Sequence, residues 1–414
     1  MKQNLCTKCK GKGLCGRPMC PILKKFRLIG SISSNIGSKF KSSDSIFGAS
    51  PPAVFVGRYG YPSISAGPMI PPLISGNDAT ALEDPQEWLK MGIGDIISSR
   101  SQLVRANTEV KVTDADSLDN PLLLRSQELA LSKKPVDTEA WFSKPIKNEL
   151  KFDGVLTPMG PSGTVTNFEI AENPKVPKKV DYLVYDTDAL AKDVISELRT
   201  GNVSNEHITR LLSIGLLGKV RRLVPTRWSI TAVDDMAGKD YLHAIRDYGQ
   251  IGDITLFNGE IFGNHFEILF VPRSFSYELI EAWLPRTVWS GDMVWIGSDY
   301  EGVNGKKVYS SLAGGYYAAR LGALEYLDRI HRQASVFMVR EIRPDYWAPL
   351  GVWVVREAVR QALKNTPQKY DSIELALADM STRLRTPYAD WIEKAKMLSN
   401  LRCQRTLDSF FNSI

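Results

Sequence analysis

Four of the chain's five cysteines, Cys6, Cys9, Cys15 and Cys20, lie within fifteen residues, in the spacing C-x2-C-x5-C-x4-C. A segment this short buries little apolar surface, so something other than a hydrophobic core must hold it folded. Four thiolates satisfy a tetrahedral zinc ion, and the two-residue gap of the first pair makes a chelating turn. Gly11, Gly13 and Gly16 permit the tight reversals that bring the thiolates together. The spacing is tighter than the commonest zinc-ribbon pattern, which leaves an iron–sulfur cluster and redox-sensing thiols as competing readings. The fifth cysteine, Cys403, stands far away and reads as a small residue near the tail.

Charge is concentrated in the same place. Residues 1–43 hold ten Lys and Arg and no Asp or Glu, and the first acid is Asp44. The other 371 residues carry 42 basic against 46 acidic groups, so the whole positive excess belongs to the first tenth of the chain. An acid-free run of cations attracts phosphate in a salt-sensitive way, which assigns DNA binding to Lys8, Lys10, Lys12, Arg17, Lys24, Lys25 and Arg27. The competing reading is a solvated arm kept soluble by lysine. Only Phe26 and Phe40 offer stacking outside the cysteine cluster, so base-specific reading is not indicated.

No apolar run follows Met1-Lys2 as it would in a secretory leader. The longest uncharged early stretch, 59–77, contains four prolines and three glycines and reads as irregular backbone, not a membrane span. The expectation is a cytoplasmic, nucleoid-associated protein whose thiols stay reduced.

From 44 to about 180 the sequence is rich in Pro and Gly and reads as ordered loops with short strand-like pieces such as 53–56. Beyond 180 periodicity sharpens. Residues 187–200 read as a helix stopped by Gly201, and Ser204 caps a second helix carrying Ile208, Leu211, Leu212 and Leu216. Residues 228–233 alternate like a strand, followed by Asp235 as the N-cap of a helix reaching about 247. Asn258-Gly259 reads as a hairpin turn, 265–271 and 286–296 as strands, 312–333 as a long helix, and 336–339 and 352–355 as strands. Helices then reach about 398. The pattern predicts an α+β fold, a mostly antiparallel sheet with packed helices, a small N-terminal zinc knuckle and a flexible C-terminal peptide.

Several residues in the body are candidates for chemistry. Gly57-Arg58-Tyr59-Gly60-Tyr61 brackets an arginine and aromatics with glycine, a combination that suits phosphate binding and base stacking. A packed turn with Arg58 in a buried ion pair explains it equally well. Arg227 and Trp228 precede Asp234 and Asp235, whose carboxylates suit Mg²⁺ or acid–base work, while helix capping accounts for Asp235 more simply. His265 and Glu267 share a strand face with Asp292 on a nearby predicted strand, and a core-bonded histidine competes with metal or general-base chemistry there. His207, His243 and His331 fall on predicted helices without partner spacing. No Walker phosphate loop, H-E-x-x-H or Gly-x-Ser-x-Gly motif occurs, so no catalytic residue is assigned.

The chain ends Gln404-Arg-Thr-Leu-Asp-Ser-Phe-Phe-Asn-Ser-Ile414. Gln404, Leu407, Phe410 and Phe411 match Q-x-x-[LIM]-x-x-F-F, which resembles the peptide by which replication and repair proteins bind the sliding clamp PCNA. In a short 3₁₀ turn Leu407 and Phe410 share a side and with Phe411 form an apolar plug, leaving Gln404 for a polar pocket. The competing reading docks both phenylalanines on the chain's own core.

The motif Cys-x-x-Cys-x-Gly-x-Gly-x-Cys-Gly-Arg-Pro-x-Cys-Pro, the segments 55–62, 158–161 (Pro-Met-Gly-Pro) and 224–235, and the terminal peptide together resemble the archaeal Nre family of DNA-repair proteins. The resemblance spans essentially the whole chain. It implies a role in repair of DNA damage through PCNA, with an N-terminal zinc site, and supplies no reaction. The predicted organisation is a basic zinc arm at 1–43, a Pro/Gly-rich part of the body at 44–225, an α+β part at 226–398 and a clamp-binding tail at 399–414. A repair factor docked on PCNA is the leading expectation. An enzyme acting on nucleic acid or nucleotides, with Arg58, Tyr59, Arg227, Asp234 and Asp235 lining its pocket, is the alternative, and a non-catalytic scaffold the third.

Overall fold

The structure is a computed structural model and describes residues 45–74, 76–147 and 149–403. The cysteine cluster, the basic arm and the peptide from Gln404 lie outside the described residues. The described chain is α+β and forms two compact units, one of residues 45–237 with 348–351, the other of 238–347 and 352–403. Each is built on a six-stranded, mostly antiparallel sheet.

The first unit's sheet holds β1 (Ser45–Ser50), β2 (Val54–Val56), β3 (Ser63–Ile70), β4 (Val104–Lys111), β5 (Val136–Phe142) and β6 (Ser162–Ile170), in the order β1-β5-β6-β4-β3-β2. Only β4 and β6 run parallel. The Pro/Gly-rich stretch is therefore regular sheet, and 63–70, read above as irregular, is one of its central strands. Pro68 fits because it pairs with Val54 of the short edge strand β2. Gly67 is required, since a Cβ there would stand 1.8 Å from the Ala106 carbonyl oxygen of β4. Ile64, Ala66 and Val110 pack against helices Pro121–Leu131, Lys178–Tyr185, Ala191–Thr200 and Asn205–Ser213 through Leu123, Val180, Leu183, Ile195, Leu198 and Ile208. Two of the predicted helix boundaries hold: Gly201 is the C-cap of one helix, and the Ser204 side chain accepts from the His207 N–H at the start of the next.

The second unit's sheet holds β7 (Ile254–Ile261), β8 (Asn264–Val271), β9 (Tyr277–Trp283), β10 (Trp295–Glu301), β11 (Ser335–Ile342) and β12 (Gln368–Tyr370), in the order β10-β9-β11-β8-β7-β12. All residues of β8, β9 and β11 are buried, as strands covered on both faces must be. On one face Leu256, Leu269, Ile280, Phe337 and Val339 meet Leu377, Met380, Trp391 and Leu398 of the C-terminal helices. On the other, Phe257 and Phe270 pack on Tyr326 of the helix Gly314–Arg329.

Four local expectations are corrected. Residues 228–233 lie in the helix Thr226–Ile245, whose start is set when the Trp228 and Ser229 N–H groups donate to the Pro225 carbonyl, so Asp235 is inside the helix and not its N-cap. Asn258 and Gly259 lie within β7; the chain reverses at Phe262 and Gly263, which have φ of 50° and 71° and lie between the paired Ile261 and Asn264. Residues 353–355 open the helix Trp353–Ala362. Residues 286–294 are not a strand, and Asp292 is exposed in the loop before β10.

Candidate functional site

The start of the helix Thr226–Ile245 is tied to β2. Thr226 Oγ1 accepts from the Val56 N–H at 2.9 Å and lies 2.9 Å from Ser213 Oγ, which donates to the Val224 carbonyl at 2.9 Å. With Ser213 donating onward, the Thr226 hydroxyl donates to it, and the chain of bonds closes. Immediately after β2 the backbone turns: the Gly57 N–H donates to the Ser65 carbonyl at 2.7 Å and the Ser63 N–H to the Gly60 carbonyl at 3.0 Å. Gly60 has φ +83°, which a side chain would disfavour.

These two anchors place aromatic rings together at the surface. Tyr61 of the turn and Trp228 of the helix lie 5.6 Å apart between ring centroids at 48°, while remaining 51% and 46% exposed. Tyr59 is 78% exposed, and the Arg58 guanidinium stands 5.0 Å from its ring centroid and donates to its hydroxyl at 3.1 Å. Exposed aromatics beside an arginine have the chemistry to stack on unpaired bases and to attract phosphate.

Of the other predicted members of this site, Arg227 and Asp234 are internal and Asp235 is half-buried. Arg227 is buried and ion-paired with Asp153, whose carboxylate also accepts from the Val155 and Leu156 N–H groups at 2.7 and 3.3 Å. Asp234 is buried and accepts from the Asn205 amide at 3.4 Å. Asp235 follows it on the same helix, rotated by about 100°. Arg58 and Tyr59 are thus accessible, whereas Arg227 and Asp234 brace the framework. Trp228 joins the surface only because its segment is helical; the 228–233 alternation gave no hint of it.

His265 and Glu267 do meet, with Nε2 2.8 Å from Oε1, but Arg383 also holds both oxygens of Glu267 at 2.7 and 2.9 Å. This is a core-bonded histidine in an ion-pair network, without Asp292. Burial, and then the neighbouring Arg210, push His207 down to about 2, so it is neutral. Among the described residues no group of three or more His, Cys, Asp or Glu is arranged to hold a metal ion, and no helix is long and apolar enough to cross a membrane.

The chain matches the family descriptions "Archaeal Nre, N-terminal" over residues 14–290 and "Archaeal Nre, C-terminal" over residues 301–410. It is 41% identical over 409 residues to the DNA repair protein NreA of Archaeoglobus fulgidus, covering 98% of each chain. It is 36% identical to the DNA repair protein NreB of the same organism, covering 98% of this chain and 99% of the relative. The DNA repair protein NreA of Haloferax volcanii is 35% identical over 370 residues, 87% of this chain and 88% of the relative. No solved structure matches.

Proposed function

The chain belongs to the archaeal Nre family, and on that premise we propose that it is a DNA-repair factor that docks on the sliding clamp PCNA through Gln404, Leu407, Phe410 and Phe411. The observation that carries this reading is a Q-x-x-L-x-x-F-F peptide in a chain whose relatives, matched over 88–99% of their length, are named for DNA repair. Aromatic anchors of this kind concentrate binding energy in a few side chains. The basic N-terminal arm engages the DNA backbone, with a zinc ion on Cys6, Cys9, Cys15 and Cys20 holding it in shape. The exposed Tyr59, Tyr61 and Trp228 beside Arg58 support contact with unpaired bases, as at a frayed or damaged site.

The test is a titration of PCNA with the wild-type chain and a Phe410→Ala/Phe411→Ala variant. A loss of at least about 100-fold in affinity is expected from removing two aromatic anchors; equal affinity overturns the clamp reading. The platform is tested separately: Trp228→Ala should weaken single-stranded DNA by about 1–3 kcal/mol with little effect on duplex.

A further inference from the structure

At one end of the second unit's sheet lies a cleft of about 820 Å³, within the range of small-molecule sites. Five separate segments wall it: Gln250 ahead of β7, the turn from Arg273 to Ser276 after β8, the end of β10 at Tyr300 with the turn of residues 302–305 that follows, Ser335 at the start of β11, and the helix Lys396–Cys403. Its floor is built. The buried Ser276 hydroxyl donates to Ser335 Oγ at 2.9 Å, which donates to the Ser274 carbonyl at 2.9 Å. The 302–305 turn is closed by the Gly305 N–H on the Gly302 carbonyl at 2.9 Å and held by Arg246, which donates to the Val303 carbonyl at 3.2 Å.

The chemistry of the lining is one-sided. Among the described residues it includes Arg273 and no Asp or Glu. Among the described residues Arg273 has no ion pair, and the side chains of Ser274, Tyr300, Asn304 and Asn400 are likewise without an internal hydrogen bond. The acids of neighbouring strands are engaged within the fold: Asp299 with Lys306 at 2.5 Å, Glu301 with Arg320 at 2.5 Å, and Glu278 with the Lys396 and Met397 N–H groups at 2.9 and 2.7 Å. The cleft is left with a cation and neutral donors, beside an apolar part made by the Tyr300 ring, Val303, Met397 and Leu401. A cation, an aromatic ring and side-chain amides lining one cleft suit a ligand that is anionic at one end and flat at the other.

We propose that this cleft binds a nucleotide, its phosphate on Arg273 and Ser274 and its base against Tyr300, with the amides of Asn304 and Asn400 on the base edge. The nucleotide is either free or the phosphorylated end of a DNA strand. The site is separate from the platform at Tyr59 and Trp228, and its test is independent of PCNA.

Calorimetric titration of the full chain with dAMP should give one site per chain. Arg273→Ala should weaken dAMP by at least about tenfold while leaving deoxyadenosine unchanged, since only the phosphate contact is removed. Tyr300→Leu should weaken both. Among the described residues Arg273 has no hydrogen-bond or ion-pair partner, so its variant should unfold at the wild-type midpoint. Independently of any variant, dAMP should slow amide exchange of the wild-type chain at residues 273–276 and 302–305. A 5′-phosphorylated oligonucleotide binding more tightly than its 5′-hydroxyl twin, by a margin that Arg273→Ala abolishes, assigns the ligand to strand ends. Binding of dAMP without that margin assigns it to free nucleotide. The proposal is overturned if neither probe shows phosphate-dependent binding that responds to Arg273, or if ligand protects the chain only elsewhere.

Discussion

At the scale of single residues, buried charge governs the outcome of substitution. Arg227 and Asp153 are both 7% exposed and face each other across 74 residues of sequence. Removing one partner strands the other in low dielectric, so Arg227→Ala should destabilise the protein by about 3–5 kcal/mol in urea unfolding. Glu278 presents an opposition. Burial raises its carboxyl from 4.5 to about 7, although the Met397 and Lys396 N–H groups favour the ionised form. A raised folded pKa means that the native state holds the proton more tightly than the unfolded chain. Stability from this group is therefore fully present below about pH 4.5, falls as pH rises, and levels off above about pH 7. The loss should approach about 3 kcal/mol across that window, and unfolding at pH 5 and pH 8 should show a smaller difference for Glu278→Gln.

At the scale of elements, close approach decides what a local signal becomes. Asn-Gly reads as a turn, yet Gly259 sits in β7 because the helix Trp353–Ala362 crosses there. A Cβ at Gly259 would stand 2.9 Å from the Ala362 Cβ and 3.0 Å from its Cα. Gly322 on the helix Gly314–Arg329 serves the same helix, its absent Cβ falling 2.7 Å from Val359 Cγ1. Gly259→Val should therefore overpack the junction and cost about 1–3 kcal/mol in equilibrium unfolding, despite the better strand propensity of valine. The same logic applies to 228–233, where half of the six residues are β-branched but the backbone is helical. Its Thr226 is tied to Val56 and Ser213, partners that no local window contains.

At the scale of the whole molecule, a slightly acidic stretch of sequence separates a cationic segment from the Q-x-x-L-x-x-F-F peptide. Neutralising Lys8, Lys10 and Lys12 together with glutamine should flatten the dependence of log affinity for duplex DNA on log salt. The expected change is about 0.9 in slope for each phosphate that the arm ceases to neutralise. An unchanged slope would remove those lysines from the interface. The body's two six-stranded sheets are not where family comparison divides the chain: the N-terminal family match ends at residue 290, between β9 and β10 and so within the second sheet.

What the sequence determined by itself was whatever neighbouring residues specify. The cysteine spacing, the acid-free arm, the terminal peptide, the Ser204 cap, the Gly201 stop and the α+β class all follow from short windows or composition. Tertiary structure alone decided which side chains are accessible. It buried Arg227 against Asp153, paired Tyr61 with Trp228, made a strand of Asn258-Gly259, and drew Arg273, Tyr300 and Asn400 to one cleft. Those outcomes depend on interactions between residues tens of positions apart, whose packing free energies exceed the fractions of a kcal/mol by which local propensities differ.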